Sequence, residues 1–181
     1  PYWHSTLVPE IKSDKRVLTV LNHEVPDRVP IVIGASNATG ISMPTYQKLK
    51  KLLGVESTDG FLYDWPELGT AKIDEVILER LYSDVRGVLD REPASVRERN
   101  EAREPGSPYF NSWGVGSVEG DPGTWFPAIH PLADTHSIAD VDSYPWPDMN
   151  DPTRVAHVKA EAQKLAQENK YAILATPWLA F

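Results

Sequence analysis

The sequence predicts an α/β fold in which parallel strands alternate with helices. Three observations carry that expectation. The runs "RVPIVIG" (28–34) and "YAILAT" (171–176) are short and continuously apolar, the pattern of strands covered on both faces. Stretches with apolar residues at helical spacing lie between them. The 181 residues, 41% hydrophobic and 24% charged, have the composition of one ordinary globular domain, 1–181.

Each element follows from local chemistry. Residues 1–12 read as an extended arm with Tyr2 and Trp3 as anchors. Ser13 is placed to cap a helix running to about His23, with Val17, Val20, Leu21 and Glu24 on one stripe. Pro26 and Pro30 bracket the turn into the first strand. A second helix, 44–53, puts Tyr46, Leu49, Leu52 and Leu53 on one side, and Gly54 sits where a C-cap glycine belongs. A third helix, 71–81, offers Ile73, Val76, Ile77 and Leu81 to the core and runs into "YSDVRGVLD", a short strand or strand-like crossing. Residues 89–105 alternate Arg and Glu with little apolar content, which predicts a solvated loop or frayed helix.

From 108 to 131, glycines and aromatics alternate around the turn signal "EGDPGT", so a β-hairpin insertion is expected there. "SIADVD" makes a single helical turn, and the two prolines of "YPWPD" hold it extended. Asp151 caps a helix begun by Pro152, with Val155, Val158, Ala162, Leu165 and Ala166 as its buried stripe. Two strands would leave both sheet edges open. A closed eight-stranded barrel takes about 250 residues, so the chain suits the first part of a (β/α)8 TIM barrel, incomplete by itself and carrying an elaborated loop.

The formal charge of −8 disfavours nucleic acid, whose phosphates attract a basic face. No apolar run reaches the roughly 20 residues a membrane span needs, and no signal-peptide pattern opens the chain. Cysteine is absent, which removes thiolate ligands and disulfides and fits a reducing cytoplasm. His130 and His136 stand six apart on a loop, a spacing that suits no helical ligand pair, and no metal site is assigned to the chain.

Five stretches, in order, carry a family likeness: "RVLTVLNHEVPDRVPI", "LYSDVRGV", "NSWGVG", "HPLADTHSIADVDSYPWPD" and "DPTR". Together they resemble the uroporphyrinogen decarboxylase superfamily, and within it the branch of corrinoid-linked methyltransferases. The resemblance implies an eight-stranded barrel about twice this length, of which the chain is the N-terminal half. It is then either a piece of a longer chain or one subunit of a split enzyme closed by a second polypeptide. It implies methyl transfer or demethylation with a corrinoid or folate acceptor and a corrinoid-carrying partner protein. Zinc would be bound in the other half of the barrel. Decarboxylation of a porphyrinogen is the alternative, and a non-catalytic subunit completing a partner barrel is a third.

Porphyrinogen decarboxylases use an aspartate of an "SD" pair to bind pyrrole NH groups, and Ser83 and Asp84 look similar in position. Asp84 is therefore the candidate catalytic carboxylate, able to orient NH donors and favour a developing cation. Pairing with Arg86, or capping a neighbouring element, is the alternative reading of the same residue. Asn37, Ser83, Arg86, Trp113 and Trp178 are the candidate substrate-binding residues, taken from expected strand ends and the hairpin. The family's arginine-rich segment after the first strand is replaced here by "GASNATGIS", without a cation from Gly34 to Tyr46. A substrate with many carboxylates needs such cations, so the loop suits a neutral or methylated substrate better.

Overall fold

A computed structural model describes residues 10–57, 59–62, 66–168 and 170–176 of the chain. In order it contains α1 (Ser13–Leu21), α2 (Met43–Leu53), α3 (Glu75–Arg80), β1 (Val85–Leu89), α4 (Ala94–Glu101), β2 (Tyr109–Phe110), β3 (Gly116–Glu119), β4 (Trp125–Ile129), α5 (Ile138–Asp142), α6 (Val158–Glu168) and β5 (Ala172–Thr176). Short 3-10 turns fall at Asn37–Thr39, Pro66–Leu68 and Pro152–Arg154. β1 and β5 pair in parallel, with Val85 opposite Ala172 and Leu89 opposite Thr176. β2, β3 and β4 form a separate antiparallel sheet. The fold is mixed α/β, and the expected hairpin is the β3–β4 pair, turned through Gly120 and Thr124.

The main apolar cluster joins α2 to α3: Met43 and Tyr46 meet Ala71, Ile73, Ile77 and Leu78. Pro44 starts α2 where its missing N–H costs nothing. Gly54 ends α2 in the left-handed region at φ 63°, its N–H bonding back to Lys50 and Lys51 carbonyls. The Tyr46 hydroxyl donates to Asp74 and accepts the Asp74 N–H, which fastens the two helices across their ends. Leu52, expected on the buried side of α2, is exposed.

Several expectations are corrected. Residues 28–34 run extended but form no ladder strand. Pro30 has no N–H to give, and the next donors go to side chains: Ile31 N–H to Asp84 Oδ2 at 2.8 Å and Ile33 N–H to Ser83 Oγ at 3.1 Å. One main-chain bond to the start of β1 remains, from Asp84 N–H to Ile31 O at 2.7 Å, while Gly34 N–H turns to Thr39 O at 2.8 Å. The segment still lies against β1, because a Cβ on Gly87 would stand 2.3 Å from the Ala35 carbonyl oxygen.

Helix α1 inverts its predicted stripe: Arg16 is buried, whereas Val20 and Leu21 are exposed. Ser13 does not cap it, since its hydroxyl donates to Asp84 instead. The third helix begins only at Glu75, because 70 and 71 are held in bridges to Ser42 and Phe61. Within 89–105, expected as solvated, lie helix α4 and the buried charges Asp90 and Glu92. Asp151 does cap the turn that Pro152 starts, accepting from Thr153 N–H at 2.8 Å. That turn stops at Arg154, and α6 begins afresh at Val158 with no fully buried residue, so the predicted stripe there is not a core face.

Candidate functional site

Charged side chains are buried at both ends of β1, and the two ends are built differently. At the amino end, Asp84 is wholly excluded from solvent. Its Oδ1 accepts from Ser13 Oγ and Arg16 Nη1, both at 2.6 Å, and from Arg28 Nη2 at 3.0 Å. Its Oδ2 accepts from Arg28 Nη1 and Ile31 N–H, each at 2.8 Å. Arg16 also grips Asp27 with Nε and Nη2, both at 2.7 Å. Burial by itself pushes the Asp84 carboxyl up, but the donors of Arg28, Ser13, Ile31 and Arg16 outweigh it and hold it below the usual carboxylate range. The Arg16 fork likewise holds Asp27 low. Arg16, Asp27, Arg28 and Asp84 thus tie α1 and the 27–31 segment to the start of β1.

The other sequence-predicted residues fall in three places. Ser83 joins the amino-end knot through Ile33, accepting its N–H and facing its carbonyl at 3.3 Å. Arg86 turns away from Asp84: Nη2 meets Glu75 Oε1 at 2.6 Å, Nη1 meets the Ser83 carbonyl at 2.8 Å, and the guanidinium stacks on Tyr171 at 3.6 Å. Asn37 sits in the first 3-10 turn and accepts from Thr70 Oγ1. Trp113 lies in the β2–β3 turn, edge to face with Trp146 at 6.2 Å. Trp178 lies outside the described residues. The structure therefore gathers Ser83 and Asp84, and keeps Asn37 and Trp113 apart from them.

At the carboxyl end, β1 runs out into Asp90, Arg91 and Glu92. Arg154 meets Asp90 at 3.5 Å and Glu92 at 3.7 Å, and its Nη1 reaches Ser112 Oγ at 3.4 Å. Its carbonyl accepts the Arg91 N–H at 3.0 Å, which fixes the Pro152–Arg154 turn to the strand end. A cleft of about 400 Å³ opens beside this cluster, and Asp90, Arg91, Lys72, Arg97, Arg103 and His157 are among its walls. His157 is positioned by a 2.7 Å contact of Nε2 with the Leu89 carbonyl. Arg91 pairs with Glu161 across the rim at 2.8 Å. Near by, burial pushes the Glu67 carboxyl up, against its own main-chain N–H and the Asn111 amide at 3.3 Å.

Reading 89–105 as solvated missed this end. The available signal was positional: "LDREP" directly follows a strand, where a parallel α/β sheet presents its loops. No group of three or more His, Asp or Glu side chains among the described residues is arranged to hold a metal ion, and none of the described helices is long and apolar enough to cross a membrane. Comparison of the chain with protein-family models, with curated proteins and with solved structures returned no match.

Proposed function

We propose that this chain supplies the first strands of a (β/α)8 barrel of the uroporphyrinogen decarboxylase type. In this reading the barrel moves a methyl group with a corrinoid or folate partner and binds its small-molecule substrate at the carboxyl end of β1. The supporting observation is the order of lanes. The 31–35 segment lies against β1, and β5 pairs with β1 in parallel, with helices in each connection. Barrel enzymes work at the carboxyl ends of their strands, and the 400 Å³ cleft lies there.

Two features agree with a partner segment that closes the barrel. Leu21, Val25 and Val29 expose apolar side chains ahead of the 31–35 segment in the chain, and among the described residues β5 pairs with β1 alone. The described residues do not fit the zinc that the family likeness implies, and no cysteine is present to serve as ligand. No step of the reaction is therefore drawn through zinc or a corrinoid on this chain. What its own residues supply is position. Asp84, the sequence-predicted catalytic carboxylate, anchors the first lane; Arg91 and His157 face the cleft from its wall.

A second reading, decarboxylation of a carboxylate-bearing substrate, draws on Lys72, Arg97 and Arg103 in the same cleft. These cations could hold substrate carboxylates that the neutral 34–46 loop cannot.

The test is purification from the native host together with whatever polypeptide accompanies the chain. Two assays follow: alkylation of cob(I)alamin by methylated donors, read from its visible spectrum, and release of CO2 from uroporphyrinogen. Cobalamin alkylation supports methyl transfer, and CO2 release without it moves the assignment to the second reading. A lone monomer active in neither assay sinks the barrel-enzyme proposal.

A further inference from the structure

The segment 104–153 differs in charge from the rest of the chain. It carries eight carboxylates and neither lysine nor arginine, so its formal charge equals the −8 of the whole protein, and the remainder is balanced. Inside this segment a cleft of about 340 Å³ is walled by Trp113, Val115, His130, Leu132, Tyr144 and Trp146, among others.

The aromatic walls are fixed in place. The Tyr144 hydroxyl donates to the Trp113 carbonyl at 2.5 Å, and Trp146 Nε1 donates to the Val141 carbonyl at 3.1 Å. Trp146 meets Trp113 at 76° and Tyr144 at 74°, edge to face, with centroids 6.2 and 5.0 Å away. In an edge-to-face pair, the ring that gives its edge leaves its own faces uncovered by that partner. Gly114, at φ 74°, is required for this packing, since a Cβ there would stand 2.4 Å from the Tyr144 hydroxyl.

The phenol and the Trp146 indole N–H already serve main-chain carbonyls, so apart from the His130 imidazole and the Trp113 indole N–H the side-chain walls are aromatic and aliphatic. An anion would meet the wrong field. A bare ammonium would lose its hydration without gaining acceptors. A methylated ammonium group satisfies both conditions, because its charge is attracted to ring quadrupoles and its methyl surface suits the walls.

We propose that the Trp113–Tyr144–Trp146 cleft binds the quaternary or tertiary ammonium group of a small molecule. The assignment goes beyond the barrel reading and stands or falls separately from it.

The experiment titrates the full chain with tetramethylammonium, with choline and with 3,3-dimethylbutan-1-ol, the uncharged isostere of choline, at constant ionic strength. Tryptophan fluorescence and calorimetry report binding, and circular dichroism reports the fold. Choline is expected to bind about tenfold more tightly than the isostere, and tetramethylammonium to saturate the same signal. Trp146→Leu, which keeps an apolar side chain at a half-exposed position, is expected to abolish that preference with the fold unchanged. A second readout is the upfield shift of bound N-methyl protons over aromatic rings. Equal affinity for charged and uncharged ligands, no saturable binding, or unaltered binding by Trp146→Leu would each overturn the proposal.

Discussion

The two ends of β1 bury charge in different ways. At the amino end every contact of Asp84 lies between 2.6 and 3.0 Å, and two guanidiniums close over it. At the carboxyl end Arg154 stands 3.5 Å from Asp90 and 3.7 Å from Glu92, beside an open cleft. Short, charge-assisted contacts fix geometry strongly, and the Asp84 contacts are the shorter set. One strand is thus held by the Asp84 knot at its start, while clefts border both ends: about 430 Å³ beside Ser13, Arg16 and Arg28, and about 400 Å³ beside Asp90 and Arg91.

The largest expected effect is therefore at Asp84. Asp84→Ala strands Arg16, which is 1% exposed, with its buried charge only partly met. Breaking a buried pair in this way costs about 3–5 kcal/mol, read as a lower urea midpoint at unchanged slope. A loss below about 1 kcal/mol would erase the contrast between the ends. Acid sharpens the same point. Asp84 and Asp27 both titrate lower in the folded chain than in the unfolded one, so the unfolded state binds more protons as pH falls. Their contribution is complete above the ordinary carboxylate range near pH 4 and drains away below it. Melting temperature followed from pH 7 to 2.5 should hold level and then drop, with a shallower drop in Asp27→Asn.

How much of this was legible from sequence differs between the ends. The helix at α2, the hairpin turn, the helical turn of "SIADVD" and β5 all announce themselves through local chemistry: a C-cap glycine, a turn signal and short apolar runs. The amino-end knot does not, because Arg16 and Asp84 are 68 residues apart in sequence and no local pattern links them. Arg16 lies outside the apolar stripe that the sequence offers, and only its tertiary partners make burial favourable for it. The same blindness hid Asp90 and Glu92, whose stretch reads as solvated by composition. It misplaced the 28–34 strand as well, since the side chains of Ser83 and Asp84 captured donors that a ladder would have used.

A smaller effect is expected at Gly87, midway along β1. A methyl group there would press on the Ala35 backbone, which cannot yield as a flexible side chain would. Gly87→Ala should cost about 1–3 kcal/mol by urea denaturation. Native-state hydrogen exchange should show faster exchange at Asp84, whose N–H bonds to Ile31, than at Leu174 on the β5 side. Equal loosening on both sides would mean that the 31–35 segment is not a separate lane against β1, and the barrel order would lose its support.

The smallest stability effect belongs to Arg91, and it separates the two ends most cleanly. Arg86 and Arg91 stand five positions apart near opposite ends of the strand. Arg86 is buried, with bonds to Glu75 and to the Ser83 carbonyl and a face on Tyr171. Its removal leaves a buried carbonyl unmet and should cost about 1–3 kcal/mol. Arg91 makes a rim pair with Glu161 in which both side chains are more than a third exposed. Such pairs contribute about 0–1 kcal/mol, so Arg91→Ala should melt close to the parent. If the cleft is the reacting centre, the same variant should lower turnover at least about tenfold, equivalent to about 1.4 kcal/mol of transition-state binding. Turnover lost in Arg86→Ala and retained in Arg91→Ala would move the chemistry to the amino end, and the contrast between the two ends would have to be drawn the other way round.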